Sequence, residues 1–235
     1  MEDSKAKHET EAASKSIYIK VTEDGPYLVY GQPPISEQII VFNSNGNSWD
    51  YREGKNYTSC ESPCALCRCG RSIYKPFCSG AHFDNEWDSA ETAEMDSFLD
   101  GAEQIEGPAL ILADKEIYCA FARFCDAKGQ IWNIVERAET PEEIELAKRE
   151  AGHCPGGRLV IYDKKKDEIY EPHFEPSIGI IEDPGVRVHG PIWVRGGIRV
   201  ESADGKSYEI RNRVALCRCG KSSNKPFCNG AHASK

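Results

Sequence analysis

The sequence predicts a mainly β, α+β protein. One β-rich unit is written twice, and a smaller α+β unit is inserted between the copies. Three observations carry this. The string CRCGRSIYKPFCSGAH at 67–82 returns as CRCGKSSNKPFCNGAH at 217–232, with twelve of sixteen positions identical. A stretch of alternating apolar and polar residues, broken by turn residues, precedes each string. The segment between the copies holds the best helical pattern in the chain, TPEEIELAKREAG.

The strand repeat comes first. IKVTEDGPYLVYGQPPISEQIIV (19–41) aligns without a gap on IGIIEDPGVRVHGPIWVRGGIRV (178–200). Ile19 then meets Ile178, Val29 meets Val188, Gly31 meets Gly190 and Val41 meets Val200. Glu-Asp followed by a Gly/Pro pair is turn chemistry between two extended runs. Each copy thus reads as strand, turn, strand, loop, strand and then a cysteine-rich loop. On this alignment the first copy is nine residues longer between third strand and loop. The RGG at 195–197 reads as a tight turn.

Residues 86–107 read as an acidic linker with a turn or two of helix. ALILADKEIYCAF, from Ala109, reads as a strand. In the helix that follows, Thr140 is placed as N-cap, Pro141 at N1, Glu142 and Glu143 in the first turn, and Gly152 at the end. RLVIYDKKKDEIYE reads as a hairpin turning at the Lys run and Asp167. The expected division is a disordered tail at 1–15, a first half at 16–85, the linker at 86–107, the inserted domain at 108–172 and a second half at 173–235.

Composition limits the function classes. The chain has 235 residues, 40% hydrophobic and 29% charged, an ordinary globular balance. A net charge of -9 argues against a phosphate-backbone binder, so no nucleic-acid partner is expected. No apolar run approaches the roughly 18 residues of a membrane span, and no membrane partner is expected. MEDSKAKHETEAASKS lacks the apolar core of a secretory signal, which makes a cytoplasmic location the default. Eleven cysteines is a high count. In a reducing compartment, clustered cysteines read as metal ligands before disulfides.

Each cysteine loop offers C-x-C-x8-C-x3-H, four potential ligands within sixteen residues. Cysteines at i and i+2 of an extended segment point to the same side, which suits one shared metal. A mutual disulfide at that spacing would be strained. Cys78 and His82 lie one helical turn apart, which suggests a short helix starting near 79. Residue types alone leave two species open, a Cys3His zinc site and a 2Fe-2S cluster.

The loops resemble the CDGSH iron-sulfur (NEET) family, C-x-C-x2-(S/T)-x3-P-x-C-D-G-(S/A/T)-H. Ser72 and Ser222 fill the Ser/Thr position, Pro76 and Pro226 the Pro, and Gly80-Ala81 and Gly230-Ala231 the positions before His. The resemblance implies one 2Fe-2S cluster on Cys67, Cys69, Cys78 and His82, and a second on Cys217, Cys219, Cys228 and His232. In that family the first two Cys hold the inner iron, and the third Cys and the His hold the outer one. The family's Asp is Ser79 in one copy and Asn229 in the other, both short N-cap residues. Members commonly form dimers that interlock strands, and others carry two motifs in one chain. The repeat therefore predicts a NEET-like pseudo-twofold body in a monomer, with strands exchanged between halves to satisfy open edges.

Cys119, Cys125 and Cys154 remain in the insert. CAFARFC and the later HCPGG resemble the outer cysteines and the C-P end of a mono-cluster ferredoxin motif, with Ala122 where the middle Cys would be. That resemblance implies a ferredoxin-like domain. Three cysteines suit a 3Fe-4S cluster. A 4Fe-4S cluster would need another ligand, for which Asp126 and His153 lie near in sequence. Cys64 aligns with Val214 and reads as a small hydrophobe; with Cys60 it could also supply an extra ligand or a redox pair. His189, aligned with Tyr30, reads as an aromatic packing residue.

The expected function is electron or cluster transfer, with redox or cluster-acceptor proteins as partners. No Ser-His-Asp pattern, phosphate-cradling loop or dinucleotide fingerprint is present, so no enzyme activity of its own is expected. An electron-wire subunit of a redox enzyme and a structural zinc-binding interaction module are the alternatives.

Overall fold

The computed structural model describes residues 17–57 and 60–234. The predicted tail at 1–15 lies outside them. The first half contributes β1 (Tyr18–Val21), β2 (Tyr27–Tyr30), β3 (Ile35–Phe42), β4 (Ser48–Asn56) and β5 (Cys64–Leu66). The insert contributes β6 (Glu103–Glu106), β7 (Leu110–Asp114), α1 (Ile131–Arg137), α2 (Pro141–Gly152), β8 (Leu159–Asp163) and β9 (Glu168–Tyr170). The second half contributes β10 (Ser177–Asp183), β11 (Val188–Arg195), β12 (Arg199–Glu201) and β13 (Arg213–Leu216). No helix among the described residues is long and apolar enough to cross a membrane.

The two halves exchange their third strands. One sheet runs β12-β1-β2-β5 and another β13-β11-β10-β3-β4. Strand β12 pairs parallel to β1, and β3 pairs parallel to β10, so each half completes the other's sheet. A lone hairpin is marginal in water, and the exchange covers an edge that each half would otherwise leave open. Ile19, Val21, Tyr27 and Val29 from one half share a single core with Ile178, Ile180, Ile192 and Val194 from the other.

The register corrects the gapless alignment. Ile19 pairs with Val29, and Ile178 pairs with Val194, not Val188. Val29 in turn pairs with Cys64, and Val194 with Val214. The second hairpin is therefore six residues longer than the first. Gly31-Gln32 corresponds to Gly196-Gly197, and all four residues have positive φ. The third strand shifts equally: Val200 lies beside Ile19 as Ile35 lies beside Ile178. An even slip preserves period-two alternation, so the apolar pattern alone could not separate the two registers. The first copy exceeds the second between third strand and motif by fifteen residues rather than nine, a length that holds β4. His189 falls in the hairpin extension, where its exposed ring meets Glu182 with Nδ1–Oε2 2.6 Å. It is not a core aromatic.

The insert forms a sheet in the order β6-β7-β8-β9, antiparallel throughout, with two helices packed on it. The α2 helix starts as the sequence predicts: Thr140 and Glu143 form a capping box, with Pro141 in the first turn. The hairpin of β8 and β9 also forms at the predicted place. The α1 helix was not predicted; IWNIVER is only two turns long, too short to display a period. No helix forms within 86–107. Its last residues are β6, and its first part is a strap over the second cysteine loop, where the amides of Thr92 and Ala93 donate to Lys225 O at 2.8 and 2.9 Å.

Candidate metal centres

The end strands β5 and β13 deliver the C-x-C segments. Leu66 and Leu216 end these strands fully buried in the shared core, just before the first cysteine of each loop. In each loop the two thiols face the same side, with Cys67 Sγ–Cys69 Sγ at 3.8 Å and Cys217 Sγ–Cys219 Sγ at 3.6 Å. The third cysteine meets the histidine through Nδ1, at 3.5 Å for Cys78–His82 and 3.5 Å for Cys228–His232. A tetrahedral metal with bonds of about 2.3 Å to sulfur and 2.0 Å to nitrogen needs edges of roughly 3.8 Å and 3.5 Å. The donors therefore fit iron or zinc ligation as pairs. Among the described residues no set of three or more His, Cys, Asp or Glu is placed to hold one ion.

The residue between the two thiols turns the other way and anchors the loop. Arg68 is buried and donates to Thr22 O at 2.7 Å and to Ser89 O. Arg218 is buried likewise, donating to Ile181 O at 2.7 Å, to Gly190 O and to Glu182 Oε1 at 2.7 Å. Each thus ties its loop to its own half's first hairpin. Sequence reasoning passed over both arginines, although their identity in the two copies was the available signal. Ser72 donates to Phe77 O at 2.6 Å and accepts from the Tyr74 amide at 3.0 Å, and Ser222 repeats this with Phe227 and Asn224.

Two protein families of interaction distinguish the sites from ordinary buried cysteines. The amides of Gly80 and Gly230 donate to the sulfurs of Cys78 and Cys228 at 3.4 Å. Cys217 accepts from the Cys219 thiol and from nearby amides, which holds it down to about 6 while Cys219 is raised. Burial raises Cys69 and Cys228. Burial, aided by the Arg218 charge, lowers His232 to about 4, so the imidazole is neutral, the form that ligates.

The short helix predicted near 79 does not form. The second loop has one 3-10 turn, Ala231–Ala233, where Asn229 Oδ1 accepts from the Ala231 amide at 3.2 Å. The first loop makes the same turn, Phe83 N to Gly80 O at 2.9 Å, but there Ser79 Oγ is buried without a partner among the described residues. Ser thus does not take the capping role that Asn takes.

The model of the iron-binding zinc finger of CDGSH type matches residues 24–83 and again residues 189–233. Each half therefore carries one match to a CDGSH-type iron-binding motif. No curated protein and no solved structure matches the chain. The matches leave the insert unassigned.

The two CDGSH sites touch. A Cβ on Gly70 would stand 2.6 Å from Cys219 O, and one on Gly220 would stand 2.7 Å from Cys69 O. They differ in cover. Around the first site, Ile73, Tyr74 and Phe83 are 78%, 67% and 85% exposed. Around the second, Asn224 and Lys225 are buried under the strap and the insert, and Tyr27 of the first half donates to Cys217 O at 2.8 Å.

The insert brings its three cysteines together. Cys119 and Cys125 line a cavity of about 320 Å³ with Asp126. Burial pushes Cys125 up to about 12, with the charges of Cys154 and Cys119 adding to it. Cys154 is raised by burial and by Cys119. Ala122 does not face this cavity; it packs with Ile40, Phe124 and Trp193. Asp126 lines the same cavity, whereas His153 is engaged elsewhere. Its Nδ1 meets Arg149 O at 2.8 Å and its Nε2 lies 3.6 Å from Asp50. The insert also abuts the second CDGSH site. Ala120 clusters with Ala215 and Cys228, and a Cβ on Gly230 would stand 3.1 Å from Cys119 O. Cys60 and Cys64 form a disulfide beside the first site, so neither is a spare ligand or a free thiol.

Proposed function

We propose that this CDGSH protein holds two 2Fe-2S clusters, on Cys67, Cys69, Cys78 and His82 and on Cys217, Cys219, Cys228 and His232, and carries electrons between partners. The carrying observation is the pairing of donors: two thiols at one tetrahedral edge and a thiol with an imidazole at another, twice over. Such pairs suit a two-iron centre better than a single zinc. A bound cluster supplies reversible one-electron chemistry. The chain's residues set its surroundings. The Gly80 and Gly230 amides offset thiolate charge. With Nδ1 turned to the sulfur, His82 and His232 keep Nε2 to carry a proton when negative charge builds up at the site.

A third centre on Cys119, Cys125 and Cys154 of a ferredoxin-like insert, of 3Fe-4S type or of 4Fe-4S type with Asp126, extends the same reading. The order of contacts, from first site to second to insert, supports a relay. Transfer of electrons is favoured over donation of clusters at the second site by its cover. The exposed apolar rim of the first site suits a docking redox protein. The chain acts as a monomer because its own halves complete each other's sheets, and it acts as a carrier rather than an enzyme, in the cytoplasm.

Anaerobic purification with iron and acid-labile sulfide counts and EPR tests this. About four iron per chain corresponds to the two CDGSH sites alone, and about seven adds a 3Fe-4S centre. Zinc in place of iron overturns the reading.

A further inference from the structure

A cavity of about 520 Å³ opens where the body meets the insert. Sheet residues Tyr51, Trp193 and Arg195 form one wall, and Tyr170 and His153 of the insert form the other, with Phe174 at the join. The size is that of a small-molecule site, and Tyr51, Tyr170, Phe174 and Trp193 bring four aromatic rings to its lining.

Trp193 and Arg195 lie two apart on β11 and so project from the same face. Both carry an N–H without a partner. Trp193 is 2% exposed, and its Nε1 is buried with no hydrogen bond among the described residues. Arg195 Nε is also buried and unpartnered. The Arg195 guanidinium packs over the Trp193 ring at 4.8 Å and faces Phe174 at 5.8 Å, yet makes no side-chain hydrogen bond or ion pair among the described residues. Glu53 attracts it only through space.

The other charges around the cavity are spoken for. Arg149 donates to Trp49 O at 2.7 Å and pairs with Asp50 at 3.3 Å. Asp50 also faces His153, and Glu145 is exposed beside Lys148. Arg195 is left as a half-buried cation with no counter-ion, in a cavity walled by rings. Leaving buried donors unmade costs about 1–3 kcal/mol for each, a cost that a bound acceptor removes.

We propose that this cavity binds a planar aromatic molecule bearing one anionic group. The ring stacks among Trp193, Phe174 and Tyr51, and the carboxylate or phosphate takes the N–H groups of Arg195 and Trp193. The site is independent of what the cysteine centres hold.

Isothermal titration calorimetry on the full chain, purified anaerobically, tests this with 2-naphthoate. The comparators are 2-naphthylmethanol, which lacks the charge, and acetate, which lacks the ring. Naphthoate is expected to bind at least about tenfold tighter than either, since a charge-assisted hydrogen bond contributes on that scale. Arg195→Gln is expected to weaken naphthoate about tenfold or more and to leave naphthylmethanol within about twofold, while Arg195→Lys recovers part of the loss. Trp193→Phe keeps an aromatic ring, removes the N–H, and is expected to weaken naphthoate more than naphthylmethanol. Visible absorption and thermal melting report separately whether each variant is folded and loaded. Absence of naphthoate binding to the native chain, or equal affinity in folded Arg195→Gln, overturns the proposal.

Discussion

Gly70 lies against the backbone of Cys219, and Gly220 against the backbone of Cys69, so the inner cysteines of the two CDGSH sites meet across the pseudo-twofold axis. Gly70 has φ +78°, in the left-handed region, and no room for a Cβ. Gly70→Ala combines a backbone cost of about 1–2 kcal/mol with a displacement of Cys219, which belongs to the other site. The variant is expected to lose iron from both sites together. Gly46→Ala is the control: its φ is +80°, but nothing lies within 4 Å of the added carbon. Iron content that falls equally in both variants would assign the effect to backbone strain alone.

The two residues that replace the family's Asp act differently. Asn229 accepts from the Ala231 amide and donates to Ser223 Oγ at 2.8 Å, whereas Ser79 Oγ has no partner among the described residues. Asn229→Ala is expected to cost about 1 kcal/mol, as loss of a cap does, and to speed loss of visible absorption from the second site. Ser79→Ala removes a buried unpaired hydroxyl and is expected to leave the first site as stable as before or more so. Rates of absorbance loss in acid, measured for each single variant, check this.

The donor pairs were legible because every donor lies within sixteen residues of its partners, and C-x-C fixes two thiols on one side of an extended chain. The exchange of strands was legible from the duplication taken with the resemblance to a family whose members interlock strands. Its register was not, since Val188 and Val194 are both apolar strand residues an even number of positions apart. The asymmetry between the sites lay beyond sequence too. It depends on contacts such as Thr92 with Lys225 and Cys119 with Gly230, which join segments more than a hundred residues apart. The Arg195 cavity was hidden for the same reason: its walls come from β11, β4 and α2, and RGG at 195–197 reads locally as nothing more than a turn.

Arg213 ties the insert to the second half. It is fully buried, pairs with Glu171 through Nε at 2.8 Å, and donates to the carbonyls of Ala151, Gly152 and Cys154. One side chain therefore fixes both the end of α2 and the loop that presents Cys154. Arg213→Met keeps the apolar volume and leaves those carbonyls unpaired, with an expected cost of about 3 kcal/mol or more. Iron at the insert is expected to fall while the absorption of the two CDGSH sites persists. Uniform loss of all iron would mean that the insert is needed to hold the body together.

Glu150 makes stability depend on pH. It is 1% exposed, with Oε1 accepting from the Lys128 amide at 3.0 Å and Oε2 buried without a partner among the described residues. Burial raises its carboxyl from 4.5 to about 7, so the folded state favours the protonated acid. Below 4.5 both folded and unfolded forms are protonated and nothing is lost. As pH rises from there through about 7, the unfolded chain ionises first and stability falls, by up to roughly 3 kcal/mol from this group. Glu150→Gln stays neutral and keeps the Lys128 contact. Relative to the native chain it is expected to gain stability steadily between about pH 5 and pH 8 in denaturant titrations. A difference between the two that is constant across that range would show that Glu150 does not titrate in the fold.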